Sequence, residues 1–188
     1  APYIRRDSWE RQECRVERNV GRILELLAQH GCSVAHCPSS NLKLASGIAP
    51  ITELSARGVN IGLGTDGAAS NNRLDIFQEM RLAALLAKEQ SGRADAINAH
   101  RVLRMATLGG ARALGLESSI GSLRPGEWAD LCAVCFDDMA LAPCYDPVSH
   151  LCYAVGREHV SDVWVAGTLR VEYGQLIENN ETGLIKLA

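Results

Sequence analysis

The stretch that decides the fold reads Val59-Asn60-Ile61-Gly62-Leu63-Gly64-Thr65-Asp66-Gly67-Ala68-Ala69-Ser70-Asn71-Asn72. Its opening residues, Val59 to Leu63, are mostly apolar and too few for a helix, so they predict a buried strand. One acid, Asp66, follows the strand, and a long apolar helix begins near Leu74. Parallel α/β proteins collect catalytic groups at the carboxyl ends of their strands, so Asp66 is a candidate catalytic or metal-binding residue. The alternative is that Asp66 only hydrogen-bonds its own turn, as aspartates before glycine often do.

The same letters also match the G-x-G-x-x-G dinucleotide fingerprint, from Gly62 to Gly67. In that motif the helix opens inside the glycine run, and its N-terminus holds the pyrophosphate. Here residues 68–72 come between the glycines and any helical pattern, and an acid inside the loop would repel phosphate. The nucleotide-binding interpretation is therefore disfavoured.

Strands and helices alternate on both sides of this stretch. Residues 32–37 predict a strand that Pro38 closes, and residues 50–57 predict a short helix that Gly58 ends. Residues 74–89 give the strongest helical pattern in the chain. This alternation is typical of a parallel βα array, so the predicted fold class is α/β.

Two connections carry predictions of their own. Segment 38–47 consists mostly of small and polar residues and predicts a loop. Because this loop is long for a βα connection, we expect it to have a functional role. Further along, Asn98 is expected to cap a helix over residues 99–108, which Gly109 and Gly110 would end.

The sequence divides into three parts that differ in charge and in predicted secondary structure. Residues 1–23 are crowded with charge, and residues 24–119 carry the predicted strands and helices of a partial (β/α) domain. Residues 120–188 predict a short helix over 147–154 and a β-rich portion, in which Ala166-Gly167-Thr168 joins two strands as a hairpin.

Composition narrows the classes of partner. The chain has 188 residues, 47% of them apolar, with a net charge of −3 and a pI near 6.0. Without a basic stripe we expect no nucleic-acid partner, and without a long apolar run we expect no membrane span. The sequence opens with Ala1 and Pro2 rather than Met, and the expectation is a processed product, an engineered product or a fragment.

The seven cysteines are an odd number, which suits reduced thiols in a cytoplasmic protein better than a disulfide framework. Cys132 and Cys135 form a C-x-x-C inside a predicted strand over residues 130–136. Residues three apart in a strand face opposite sides, so we expect these thiols to fill the core rather than bind a metal.

Polar residues follow the two predicted parallel strands at one rim. His36 ends the strand that precedes the strand of Asp66, so parallel pairing would bring both to the same edge. Asn41 and Ser70-Asn71-Asn72 add neutral hydrogen-bonding groups there. Their alternative is ordinary loop and cap chemistry, and for His36 it is a satisfied structural histidine.

Longer motifs carry a resemblance to a known family. They are His36-Cys-Pro-Ser-Ser-Asn-Leu-Lys-Leu-Ala-Ser-Gly47, Gly64-Thr-Asp-Gly-Ala-Ala-Ser-Asn-Asn72, Arg104-Met-Ala-Thr-Leu-Gly-Gly-Ala-Arg-Ala-Leu-Gly115, Gly121-Ser-Leu-Arg-Pro-Gly126 with Ala129-Asp-Leu131, and Tyr145-Asp-Pro-Val148. With them the chain, from about residue 24 to 176, resembles the C-terminal part of the amidohydrolase superfamily. The branch is that of the 5-methylthioadenosine/S-adenosylhomocysteine deaminases and triazine chlorohydrolases.

The resemblance implies the last two strands of a (β/α)8 barrel with their helices, a small β-sandwich portion, and one divalent metal such as zinc. Asp66 would ligate the metal and take a proton from its water, which attacks the carbon bearing an exocyclic amine. Asn41 and the segment Ser70-Asn71-Asn72 would border a purine-nucleoside pocket. No ligand role is carried over to His36, which stays a candidate substrate-binding residue by its place at the rim.

The departures from the family pattern matter as much. The family's H-x-H pair, its later histidines and its proton-donating glutamate have no match here, and a catalytic zinc takes three protein ligands. We therefore expect a deaminase of an adenosine-like compound that needs a missing N-terminal half and is inactive without it. One alternative is a non-catalytic remnant whose strand edges bind a partner or a second copy. Another is a triazine- or guanine-type aminohydrolase or chlorohydrolase.

Overall fold

The structure, a computed structural model, describes residues 19–177. In these residues the chain forms a two-stranded parallel sheet with helices and a four-stranded antiparallel sheet, which confirms the predicted α/β class. None of the helices described is both long and apolar enough to cross a lipid bilayer.

The helices are α1 (19–29), α2 (Pro38–Lys43), α3 (Ile51–Ala56), α4 (Ile76–Ser91), α5 (Ala99–Arg104), α6 (Gly110–Ala113) and α7 (Pro147–Tyr153). A π-helical segment, Met105–Gly109, joins α5 to α6. The strands are β1 (Ser33–His36), β2 (Asn60–Leu63), β3 (Leu131–Val134), β4 (Val160–Val165), β5 (Thr168–Glu172) and β6 (Gln175–Leu176). Apolar residues at helical spacing, from Val16 to Leu27, predict that α1 begins near Cys14, and this start lies outside the described residues.

Strands β1 and β2 pair in parallel, with Ser33 opposite Asn60 and His36 opposite Leu63. Both strands therefore end at one edge of the sheet, as the alternation of elements predicts. The loop that carries Asp66 leaves β2 at this edge, beside the start of α2.

The helix α4 packs against the helices α2, α3, α5 and α7 and the strand β2, and it organises the core. Asp75 caps its N-terminus by accepting hydrogen bonds from the backbone N–H groups of Phe77 and Gln78, and Gly92 ends it in the left-handed conformation. Its buried face joins one core with side chains of β2, α3, α5 and α7; the members include Ile51, Leu54, Ile61, Phe77, Met80, Ala83, Ala84, Ala87, Val102 and Cys152. Burial of the larger ones contributes roughly 1.5–3 kcal/mol each.

The loop predicted over residues 38–47 is wrong in its first half, which forms the helix α2. Pro38 stands in its first turn, where its fixed φ suits a helix and its missing N–H costs nothing. The polar, serine-rich sequence hides this helix because it shows no apolar period. A contact from far along the chain satisfies one of the first-turn donors, since the carboxylate of Glu79 accepts the N–H of Ser39.

Gly109 and Gly110 do not end a helix, contrary to the prediction. The helical backbone runs through the π segment into α6 and stops only at Gly115, which has a φ of 69°. A Cβ on Gly109 would collide with the carbonyl oxygen of Ile61, and Asn60 Nδ2 donates to the Gly109 carbonyl at 3.0 Å. The glycine therefore serves the close approach of helix and strand rather than a stop.

The antiparallel sheet has the order β3-β4-β5-β6, and its β4–β5 hairpin turns at Ala166 and Gly167 as predicted. The expected core packing of Cys132 and Cys135 is wrong, because both are exposed. β3 ends at Val134, which leaves Cys135 in the following loop rather than in the strand. The six described cysteines are free thiols.

Candidate active site

Asp66 lies in the loop that follows β2, at the edge where both parallel strands end. Its backbone is left-handed, with a φ of 61°, a conformation that aspartate tolerates better than most residues. The Gly67 N–H donates to Asp66 Oδ1 at 2.7 Å, and the side chain is exposed. The turn thus presents the carboxylate outward from the strand ends.

Two serine hydroxyls fix the other carboxylate oxygen. Ser40 Oγ donates to Asp66 Oδ2 at 2.6 Å, and Ser70 Oγ donates to the same oxygen at 2.8 Å. The pKa of Asp66 lies below its ordinary value because three hydrogen-bond donors stabilise the charged form. The hydroxyl of Ser40 has the largest effect, followed by the hydroxyl of Ser70 and the N–H of Gly67. Each carboxylate oxygen can accept about two hydrogen bonds, so Oδ2 is filled while Oδ1 keeps one acceptor position.

Ser40 is a site residue that the sequence analysis missed. It is buried in α2, one turn after the end of β1, and it reaches Asp66 across 26 residues of sequence. The segment was predicted to be a loop, and only its helical form sets the direction of this hydroxyl.

Glu79 is a second missed residue, and it lies beneath the site. Its side chain is fully buried on α4; Ser39 N–H donates to Oε2 at 2.9 Å and Asn71 Nδ2 donates to Oε1 at 2.7 Å. Asn71 Nδ2 also donates to the Thr65 carbonyl at 2.9 Å. The one available signal was an acid on a face of α4 that is otherwise apolar.

The predicted residues Ser70, Asn71 and Asn72 come together on one wall of an open pocket of about 340 Å³. Lys43 lines it from α2, and its Nζ donates to the Ala69 carbonyl at 2.9 Å and to Asn72 Oδ1 at 2.6 Å. Asn41 is half-buried in α2 and is not among the residues that line this pocket. The loop after β2 is therefore tied to α2 above the strand ends.

His36 lies at the same edge but is buried, with 3% of its surface exposed. Burial lowers the pKa of its imidazole to about 4, so the ring is neutral at neutral pH, and Nδ1 meets no hydrogen-bond partner. It shares the side of β1 with Val34, which packs against the core, whereas Ser33 and Ala35 are exposed. The structure does not join His36 to Asp66, and its substrate-binding role stays a prediction.

The described residues can supply only a part of the ligand set of the metal that the motifs imply. Within residues 19–177, no three His, Cys, Asp or Glu side chains are grouped closely enough to hold a metal ion. Asp66 can serve as one ligand of a metal ion, because its carboxylate is exposed, favours the ionised form and keeps an acceptor position on Oδ1. A catalytic zinc takes three protein ligands, so Asp66 would supply one of the three.

Comparisons with known proteins agree with the motifs. The model of the amidohydrolase family matches residues 15–170. A curated relative from Teredinibacter turnerae, named 5-methylthioadenosine/S-adenosylhomocysteine deaminase, is 54% identical over 144 residues, which cover 77% of this chain and 33% of the relative. The chain thus spans about a third of the length of the curated relatives it matches.

Two solved structures share the fold of the described part. An adenosine deaminase from Xanthomonas campestris with bound zinc superposes with a TM-score of 0.87 at 46% identity, over 89% of this chain and 38% of that one. A zinc complex of atrazine chlorohydrolase from Arthrobacter aurescens gives a TM-score of 0.79 at 29% identity, over 87% and 36% of the two chains. With these matches the resemblance is confirmed: the chain belongs to the amidohydrolase family.

Proposed function

We propose that this chain is the C-terminal part of a metal-dependent deaminase, which hydrolyses the exocyclic amine of an adenosine-like compound such as 5-methylthioadenosine or S-adenosylhomocysteine. The observation that carries the proposal is Asp66 at the parallel strand ends, with Oδ2 fixed by two hydroxyls and an acceptor position left on Oδ1. The relative from Teredinibacter turnerae is named 5-methylthioadenosine/S-adenosylhomocysteine deaminase, and this name supports the substrate class.

Asp66 has two tasks in this proposal. Oδ1 contributes one ligand to a zinc ion, and Oδ2 accepts a proton as water attacks the carbon that bears the amine, after which the proton passes to the departing ammonia. The position on Oδ2 is opened when the Ser70 hydroxyl turns to its second acceptor, the Gly67 carbonyl at 3.2 Å. Bound zinc would supply the positive charge that lowers the pKa of the attacking water. The hydroxyls of Ser40 and Ser70 keep the carboxylate ionised and aimed, because both donate to its charged form.

The substrate is bound beside this carboxylate. Asn41 and the segment Ser70-Asn71-Asn72 border the purine in this proposal. Asn71 is buried and gives its amide hydrogens to Thr65 and Glu79, so its part is to hold this segment in place rather than to pair with the purine edge. The neutral imidazole of His36 backs this rim from the buried side of β1.

The remaining zinc ligands come from an N-terminal portion with the rest of the barrel. The support is that the described residues hold no group of three ligands and that the chain spans about a third of its relatives. The isolated chain is therefore inactive and binds no stoichiometric zinc. We place the protein in the cytoplasm, because the described cysteines are free thiols.

Two alternative functions are each supported by a separate observation. The likeness to the atrazine chlorohydrolase favours release of chloride or a triazine amine at the same carboxylate. A non-catalytic remnant is favoured by the two-stranded sheet, in which β1 and β2 each pair on one edge only within the described residues, and open edges bind other strands.

A chimera tests the proposal. The N-terminal two thirds of the Teredinibacter turnerae deaminase is joined to this chain at the start of the matched region, residue 15, and the zinc content and ammonia release are measured. We expect one zinc per chain and release from 5-methylthioadenosine, S-adenosylhomocysteine or adenosine. Asp66→Asn should abolish turnover while Glu89→Asn, an exposed acid on α4, should not.

Two results would contradict the proposal. Stoichiometric zinc in the isolated chain would mean that it holds a complete site of its own. A chimera that binds zinc but releases only chloride from a chlorinated triazine would favour the chlorohydrolase, and a tight metal-free oligomer of the isolated chain would favour the remnant.

A further inference from the structure

We infer that Glu79 is the positioning residue of this site: its buried carboxylate ties α2, the helix that follows β1, to the loop after β2 and so sets the place of Asp66. Only the catalytic consequence of this inference rests on the proposed function. The positioning itself concerns contacts within this chain.

The two hydrogen bonds of Glu79 reach two different segments, the helix α2 and the loop after β2. The N–H of Ser39, in the first turn of α2, donates to Oε2 at 2.9 Å, and Nδ2 of Asn71, in the loop after β2, donates to Oε1 at 2.7 Å. Gln78, the preceding residue of α4, donates from Nε2 to Ser39 Oγ at 3.3 Å. One turn of α4 thus holds the residues that follow both parallel strands.

Both segments lead directly to Asp66. Ser39 precedes Ser40, whose hydroxyl donates to Asp66 Oδ2 at 2.6 Å. The amide of Asn71 that contacts Glu79 also donates to the carbonyl of Thr65, the residue before Asp66, at 2.9 Å. Glu79 therefore acts on the carboxylate from two sides, through the serine that fixes its oxygen and through the backbone that carries it.

Burial of Glu79 argues against a passive role. Its side chain has 0% exposure and sits on α4 beside the core residue Met80. Among residues 19–177 it accepts from neutral donors and forms no ion pair. An acid without a cationic partner is costly to bury, whereas an apolar side chain at this position would leave the N–H of Ser39 and one donor of Asn71 unpaired. The carboxylate is the group that satisfies both donors at once.

Amide hydrogen exchange by NMR on the 188-residue chain tests the positioning. The reporters are the N–H of Ser39, which donates to Glu79, and the N–H of Gly67, which donates to Asp66. In Glu79→Gln one donor must face the new amide NH₂, so we expect both reporters to lose about 10- to 100-fold in protection. Glu89→Gln, on the exposed side of α4, is the matched control and should change neither.

A second variant separates positioning from general stability. Asn71→Ala removes the link to Thr65 but keeps the bond from Ser39 to Glu79, so Gly67 should lose protection while Ser39 keeps it. If Glu79→Gln fails to fold, Glu79→Asp takes its place, because its carboxylate is one methylene too short to reach both donors, and Ser39 and Gly67 should again lose protection. Unchanged Gly67 protection in the variants that fold would overturn the inference, as would an equal loss at amides throughout β4 and β5.

The catalytic consequence is read in the chimera, where Glu79→Gln should retain zinc and lower kcat/KM about 10- to 100-fold. Inactivity of the unsubstituted chimera would refute the proposed function and leave the exchange result to decide the role of Glu79. An active chimera whose kcat/KM is unaffected by Glu79→Gln would refute the catalytic part of this inference alone.

Discussion

Ser40 and Asp66 are joined by a hydrogen bond of 2.6 Å, from the serine hydroxyl in α2 to carboxylate Oδ2 in the loop after β2. The bond connects the ends of two neighbouring parallel strands and gives the acid a fixed direction. It also makes the acidity of Asp66 depend on a residue that follows the other strand.

Ser40→Ala should raise the pKa of Asp66 toward its ordinary value, because the hydroxyl of Ser40 is the largest cause of its lowering. A carboxylate that loses a donor to its charged form keeps its proton to higher pH. The chemical shift of the Asp66 carboxyl carbon, followed by NMR against pH, measures the change. Ser46→Ala, in the exposed loop after α2, should leave the midpoint where it is.

His36 should give the chain a pH dependence of stability on the acid side of neutrality. Its pKa is lowered by burial from 6.5 to about 4, so between these values the unfolded state binds a proton that the folded state does not. The free energy of unfolding should therefore fall as the pH falls from 6.5 to about 4, by an amount on the order of 3 kcal/mol.

Urea unfolding at several pH values, in wild type and His36→Leu, measures this contribution. The variant should lose this part of the slope, while His100→Gln, an exposed histidine on α5, should keep it. Parallel curves for wild type and His36→Leu would show that the buried ring does not titrate in this range.

Met80→Ala should destabilise the chain by about 2–5 kcal/mol, because the side chain is fully buried in the core and its loss leaves a cavity. Leu85→Ala on the same helix should cost far less, within roughly 0.5 kcal/mol, since Leu85 is 49% exposed. Urea denaturation of both variants compares them. Equal losses would mean that the exposed side of α4 is covered in solution.

The two glycines at the junction of the π segment and α6 should respond in opposite ways to substitution by alanine. Gly109→Ala would drive a Cβ into the Ile61 carbonyl, and we expect a loss of about 1–3 kcal/mol. Gly110→Ala meets open space at a helical φ of −64°, so it should be neutral or gain up to about 1 kcal/mol from helix propensity. Thermal unfolding of the two variants provides the measurement, and a destabilised Gly110→Ala would contradict the packing of this helix on β2.

Local signals in the sequence determined much of the fold. The apolar run before Asp66 forms β2, Asp75 and Gly92 bound α4, and Asn98 caps α5, since strand length and cap chemistry act over a few neighbouring residues. The alternation of strand and helix predicted the parallel pairing that brings His36 and Asp66 to one edge. The motifs identified the family before any contact was known.

Tertiary structure decided which side chains meet. Ser40 contacts Asp66 across 26 residues of sequence, and Glu79 contacts Ser39 across 40, so no local pattern contains either bond. The helical form of α2, the burial of His36 and the exposure of Cys132 likewise depend on what packs against each element. The sequence by itself was enough to predict Asp66 as the candidate acid and β2 as the strand that precedes it. The direction of Asp66, its hydrogen-bond partners and the buried carboxylate beneath it follow from packing between distant segments, because hydrogen bonds and burial depend on distance in space rather than along the chain.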